Sequence, residues 1–179
     1  MDEVSALRLW LMRAGFAALV FAILFFQMLP LETTPRRFAG PDLVIAFAFA
    51  WALRRPEYAP LGLTAGLLLI ADLLLGRPPG LYAALTLIAF GKLRARASGL
   101  RDMPFTVEWI TVSFAITAVM LGHRLILATF LVPLPSLGLQ LIQLLMTLLA
   151  YPLVALVTRY VFGLRPVGLG EVNALGQRQ

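Results

Sequence analysis

Asp72 lies inside an apolar run from Gly62 to Gly76 that is closed by Arg77-Pro78-Pro79-Gly80. A charge in the hydrocarbon layer of a membrane costs roughly 2.5–3.5 kcal/mol even on the lenient insertion scale, so such a residue faces protein, pairs with something, or works. A second acid, Asp42, follows Gly40-Pro41. Two carboxylates at similar depth could share a proton as in an aspartyl protease, but neither of these has a recognisable catalytic setting. The chain has no His-Glu-x-x-His, no Gly-x-Ser-x-Gly and no phosphate-binding glycine loop. One histidine rules out a multi-histidine metal site, and the absence of cysteine rules out thiolate chemistry and disulfides. The expectation is a protein that is not an enzyme, with no catalytic residues, no cofactor and no metal.

The remaining polar residues fall in stripes. Gly62, Ala65, Gly66, Leu69 and Asp72 occupy one helical face about 120° wide, and Gly62-x-x-x-Gly66 predicts close approach of another helix there. Thr106, Ser113, Thr117 and Arg124 fall within about 40° of one another. Asp72 precedes Pro78, and Arg124 precedes Pro133, at similar depth, which predicts an ion pair between Asp72 and Arg124 with Arg77 as the competing partner. His123 is expected to be a polar neighbour near the outer interface. Gln140, Gln143, Thr147, Tyr151 and Thr158 fall within about 60° of one another and form either an interhelical hydrogen-bonding face, the wall of a cavity, or a subunit interface. Pro152 predicts a kink that frees backbone carbonyls. Asp42 suits a helix N-terminus; Trp51 and the Arg54-Arg55-Pro56 corner suit an aromatic belt and a positive anchor.

Elements that can position these residues must lie in a membrane. The composition is 60% apolar and 13% charged, and the mean hydropathy is +0.88, values unsuited to a water-soluble domain of 179 residues. The fold class expected is all-α: a polytopic membrane protein, a bundle of about six transmembrane helices. The spans are placed at 9–29, 41–53, 59–75, 81–91, 105–132 and 137–162, within one helical domain over 1–165, followed by a flexible cytoplasmic tail over 166–179. The first run is too long for a signal-peptide core and is expected to be a retained span. The second, at thirteen residues, is either a short tilted span or a re-entrant segment.

Net charge is +6, and here it reports topology rather than nucleic acid. Arg8, Arg13, Arg54, Arg55, Lys92, Arg94, Arg96, Arg101, Arg159, Arg165 and Arg178 fall on one side of six spans, and Arg36, Arg37 and Arg77 on the other. Both termini are therefore expected in the cytoplasm, with 92–101 as a cytoplasmic loop; a five-span model would move the C-terminus outside. The Lys92-Leu93-Arg94-Ala95-Arg96 cluster is either an anchor that also touches anionic lipid or a docking site for a cytoplasmic partner.

Pro41-Asp42, Trp51, Arg54-Arg55-Pro56, Gly62, Gly66, Asp72 to Gly76, Pro79-Gly80-Leu81-Tyr82, Gln140, Thr147 and Tyr151-Pro152 together resemble the rod shape-determining protein MreD family. The resemblance covers most of the chain and is most specific from Pro41 to Tyr82. It implies a non-enzymatic bacterial inner-membrane subunit of the cell-elongation complex. The implied partners are an MreC-like membrane protein, the actin-like MreB, a SEDS-family glycosyltransferase and a penicillin-binding transpeptidase, acting in lateral peptidoglycan synthesis. It also implies a fold similar to the membrane substrate-binding subunits of energy-coupling-factor transporters. By matching position, Asp42, Asp72, Gly76 and Gly80 are the residues to test. The alternative is a small-molecule transporter subunit with a solute cavity lined by the fifth and sixth spans.

Overall fold

Proline, glycine and serine punctuate six helices in the computed structural model, which describes residues 2–29, 39–100, 103–134 and 136–161. These are α1 (Asp2–Met28), α2 (Leu43–Arg54), α3 (Leu61–Leu74), α4 (Leu81–Leu100), α5 (Phe105–Thr129) and α6 (Leu137–Tyr160). Among the described residues there is no strand. Pro60 and Pro104 precede α3 and α5 in extended conformation, and the Ser136 side chain accepts from Leu139 N at the start of α6. The tail over 166–179, and Arg36, Arg37, Arg101, Arg165 and Arg178, lie outside the described residues.

Among the described residues three helices are long and apolar enough to cross a membrane: Ala6–Met28, Phe105–Thr129 and Leu137–Tyr160. They lie at the margin of the bundle and turn apolar side chains outward. On α6 these are Leu137, Leu141, Leu145, Leu149, Leu153 and Leu156, an unbroken exposed stripe. In water such a stripe would be unfavourable; against acyl chains it costs nothing.

The shortest helix is the axis. α2 has 12 residues, about 18 Å of rise, and all from Val44 to Arg54 are buried. A helix apolar all round must be enclosed, and α2 is packed by α1, α4, α5 and α6. Its shortness therefore creates no mismatch with lipid. Trp51, expected at the membrane interface, is fully buried and packs on Phe16 of α1 with ring centroids 5.0 Å apart. Helix α2 carries it inward because every face of that helix meets protein.

Helix α4 also departs from expectation. It runs unbroken through Gly91 to Leu100, so Lys92, Arg94 and Arg96 stand on a helix and not in a loop. The Lys-Leu-Arg-Ala-Arg-Ala stretch after Gly91 is rich in strong helix formers, which carries the helix beyond its apolar part.

Successive helices alternate in direction. The end of α1, the start of α2, the end of α3, the start of α4, the second half of α5 and the start of α6 border one cavity. At the other end, Arg13 of α1 donates to the Glu57 carbonyl in the α2–α3 connection, and Arg54 at the end of α2 meets Glu108 near the start of α5 and the Ala155 carbonyl late in α6. Most basic residues among the described segments gather at that second end, and Arg77 and Arg124 at the first.

Candidate functional site

The α3–α4 hairpin is organised by Asp72. Its backbone carbonyl accepts from Arg77 N at 2.9 Å, while Gly76 N donates to the Leu73 carbonyl at 3.3 Å. This paired closure of a helix end requires a left-handed residue between the two, and Gly76 has φ +64°. The Asp72 carboxylate then reaches across the turn. Its Oδ2 accepts from Gly80 N at 3.2 Å and Ala83 N at 3.0 Å, two amides at the start of α4 that lack helical partners. Gly80, at φ +86°, has no side chain to cap α4 itself, and Asp72 supplies the missing acceptor from the preceding helix. Asp72 is fully buried, and Oδ1 finds no hydrogen-bond donor among the described residues. Pro79 stands exposed between the two glycines.

Asp42 does the same work for α2 and more. Its Oδ1 accepts from Ile45 N at 3.3 Å; its Oδ2 accepts from Arg77 Nη2 at 3.3 Å and Tyr82 Oη at 3.0 Å. Its own amide donates to Thr147 Oγ1 at 2.9 Å, and Thr147 donates in turn to the Gln143 carbonyl at 2.6 Å. The Arg77 guanidinium lies over the Tyr82 ring, 4.3 Å from its centroid, and His123 meets the same ring edge-on at 5.2 Å. Burial opposes the charge on Arg77, but Asp42, Tyr82 and Asp72 together hold its pKa above the ordinary guanidinium value. Asp42 and Asp72 are thus engaged by separate sets of donors.

The ion pair expected between Asp72 and Arg124 is replaced by other contacts. The Asp72 carboxylate serves the start of α4, Arg77 turns to Asp42, and Arg124 Nη1 donates to Gln140 Oε1 at 2.6 Å. Gln140 Nε2 donates to the Met120 carbonyl at 3.1 Å. The open amides at the start of α4 take the Asp72 carboxylate in place of Arg124. The face containing Gly62 and Gly66 is also different from expectation. A Cβ at either glycine would meet nothing within 4 Å, and both are exposed. The buried face of α3 is instead Thr64, Leu67, Leu68, Ala71 and Asp72, chosen by the larger apolar residues. On α5 the buried face is Val112, Ile116, Val119, Met120 and Leu127, and Thr117 satisfies itself on the Ser113 carbonyl.

The polar face of α6 runs inward. Thr147, Tyr151 and Thr158 are fully buried, and Gln140 and Gln143 border a cavity of about 1100 Å³ at the Asp42 end. Arg77, Tyr82, His123 and Arg124 also line it. The other end of α2 carries a second polar cluster. Arg54, expected to be an exposed anchor, is buried: its Nη2 lies 3.2 Å from Glu108 Oε1 and its Nη1 donates to the Ala155 carbonyl at 3.0 Å. Tyr151 Oη donates to the same Glu108 oxygen at 2.8 Å. Arg55 remains at the surface and pairs with Glu57 at 3.4 Å. Glu108 was not anticipated, although its place one turn into α5 sets it level with Arg54 on any alternating topology.

Among the described residues no group of three or more histidines or acids could hold a metal. Comparison with protein-family models, with curated proteins and with solved structures gives no match in any of the three.

Proposed function

We propose that this chain is a multi-pass subunit of the bacterial inner membrane, with six spans and both termini in the cytoplasm, that acts in the cell-elongation complex as MreD-like proteins do. In this reading it binds an MreC-like protein and helps position the wall-building glycosyltransferase and transpeptidase with the actin-like filament beneath. One observation supports it above others. Residues that carry the resemblance are joined to each other: Asp72 with Gly80 within the hairpin, and Asp42 with Tyr82 and Thr147, while Arg77 bridges the Asp72 carbonyl and the Asp42 carboxylate. Their bonding capacity is directed at helix ends and at one another, which gives one end of the bundle a fixed shape. A fixed surface is what a binding subunit needs, whereas a reactive site needs a group left available to a substrate. Likeness to the membrane subunits of energy-coupling-factor transporters belongs to the same proposal, since a cavity persists between the helices.

The test is depletion of the protein in the bacterium that carries it, followed by cell width and by incorporation of a fluorescent D-amino acid along the side wall. Rounding of the cells with loss of lateral incorporation is expected; unchanged shape and incorporation would contradict the proposal. The cavity of about 1100 Å³ with Arg124, Gln140 and Gln143 on its wall favours a second reading, a transporter subunit for a polar small molecule. Loss of uptake of one solute on depletion, with shape intact, would select it.

A further inference from the structure

A second, smaller cavity of about 540 Å³ opens between α4 and α5. Its walls are apolar, with Leu85, Ile88, Phe114 and Ala118 along its length, and its mouth at one end is basic, with Lys92 and Arg96. Those two residues are four apart on one helix, so both side chains stand on the groove face, one turn apart. Both are exposed, and neither has an ion-pair partner among the described residues. From Leu85 to Arg96 the groove follows α4 for about 16 Å. One leaflet of hydrocarbon is about 15 Å deep. The apolar walls run about 10 Å along α4 from Leu85 to Lys92 and end in two cations, which suits part of an acyl chain and an anionic headgroup.

We propose that the α4–α5 groove is a binding site for an anionic glycerophospholipid, with one acyl chain along Leu85, Ile88, Phe114 and Ala118 and the headgroup phosphate between Lys92 and Arg96. A partner helix fits the apolar walls, but it would have to bring its own anion to the basic mouth; the lipid carries that charge already. The site stands apart from the Asp42–Tyr82 network, and its occupancy does not depend on the elongation-complex reading. Bound there, the lipid would link the place of the basic end of α4 to the charge of the surrounding leaflet.

The experiment is native mass spectrometry of the full chain in detergent, titrated with phosphatidylglycerol or with phosphatidylcholine of the same acyl chains. Lys92→Gln with Arg96→Gln removes both charges from exposed positions, so folding is not at stake; Arg8→Gln with Arg159→Gln removes two charges elsewhere, and Ala118→Phe fills the groove. The expected result is preference for phosphatidylglycerol, weakened on the order of 30-fold by the Lys92/Arg96 pair of changes. The Arg8/Arg159 pair should leave binding within about twofold, and Ala118→Phe should weaken both lipids. Equal binding of the two lipids, equal loss in the two charge variants, or no effect of Ala118→Phe would each overturn the site. So would a photoreactive residue at Ala118 that captures a protein and no lipid in native membranes.

Discussion

Arg54 and Glu108 form a buried pair whose value lies in mutual dependence. The side chains are 7% and 13% exposed, and Tyr151 and the Ala155 carbonyl complete the cluster. Taking two charges from water costs about what their attraction returns, so the pair contributes little net stability, whereas a lone survivor is expensive. Arg54→Leu or Glu108→Leu alone should therefore destabilise the protein by about 3–5 kcal/mol. The double change should cost clearly less than the sum, which equilibrium unfolding of the four proteins in one detergent measures as a coupling energy. Asp42 at the opposite end of α2 obeys the same logic, and the two charges suit the helix they flank: an acid at its N-terminus and a base at its C-terminus. Of these residues, the sequence made Asp42 legible because Gly-Pro-Asp before an apolar helix is a start signal. The burial of Arg54 is not legible, because a basic residue at the end of a span looks the same in sequence whether it faces lipid headgroups or a buried acid.

At the scale of elements, Pro152 shows how a defect in one helix is repaired by another. A proline cannot donate to the carbonyl four residues earlier, which leaves the Leu148 carbonyl without its helical partner. Trp109 of α5 fills the gap: its Nε1 donates to the Leu148 oxygen at 3.0 Å. In a low-dielectric interior an orphaned carbonyl costs about 1–3 kcal/mol. Trp109→Phe should thus destabilise by an amount in that range, and should do so less in a Pro152→Ala background, where the helix supplies its own donor; thermal unfolding of the single and double variants checks the sign of the coupling. That a proline in α6 would free a carbonyl was readable from sequence. Which donor would answer it was not, because that depends on the register between two helices that share no local pattern. The same limit applies to Gly62 and Gly66: spacing shows a small face, but the larger residues at Thr64, Leu67, Leu68 and Ala71 decide which face is buried.

Across the whole molecule, a short helix is enclosed by longer ones, and each of its ends is closed by a charged cluster. The six helices and the turns between them were largely legible, since proline and glycine mark the breaks and apolar runs mark the spans. The extent of α4 was not, because falling hydropathy ends a span without ending a helix. Alternating helix direction predicts that the α3–α4 turn and the end of α4 lie on opposite sides of the membrane. The chain has no cysteine, so single cysteines can report this directly. A thiol at Pro78 should react with a membrane-impermeant reagent added to intact spheroplasts, and one at Ser98 should react only after permeabilisation. The reverse pattern would invert the topology, and labelling of both from outside would remove the alternation.

Membership of the elongation complex is tested by affinity purification of the tagged protein from gently solubilised membranes, beside its Asp72→Asn variant, with mass spectrometry of what accompanies each. An amide at position 72 keeps one acceptor oxygen but sets an amino group in place of the other, so it should distort the hairpin end of the bundle. Wild-type protein should bring down an MreC-like protein and wall synthases, with both reduced in the variant. Recovery of ATPase subunits and a coupling protein in their place would contradict the elongation-complex reading and make this chain a transporter component.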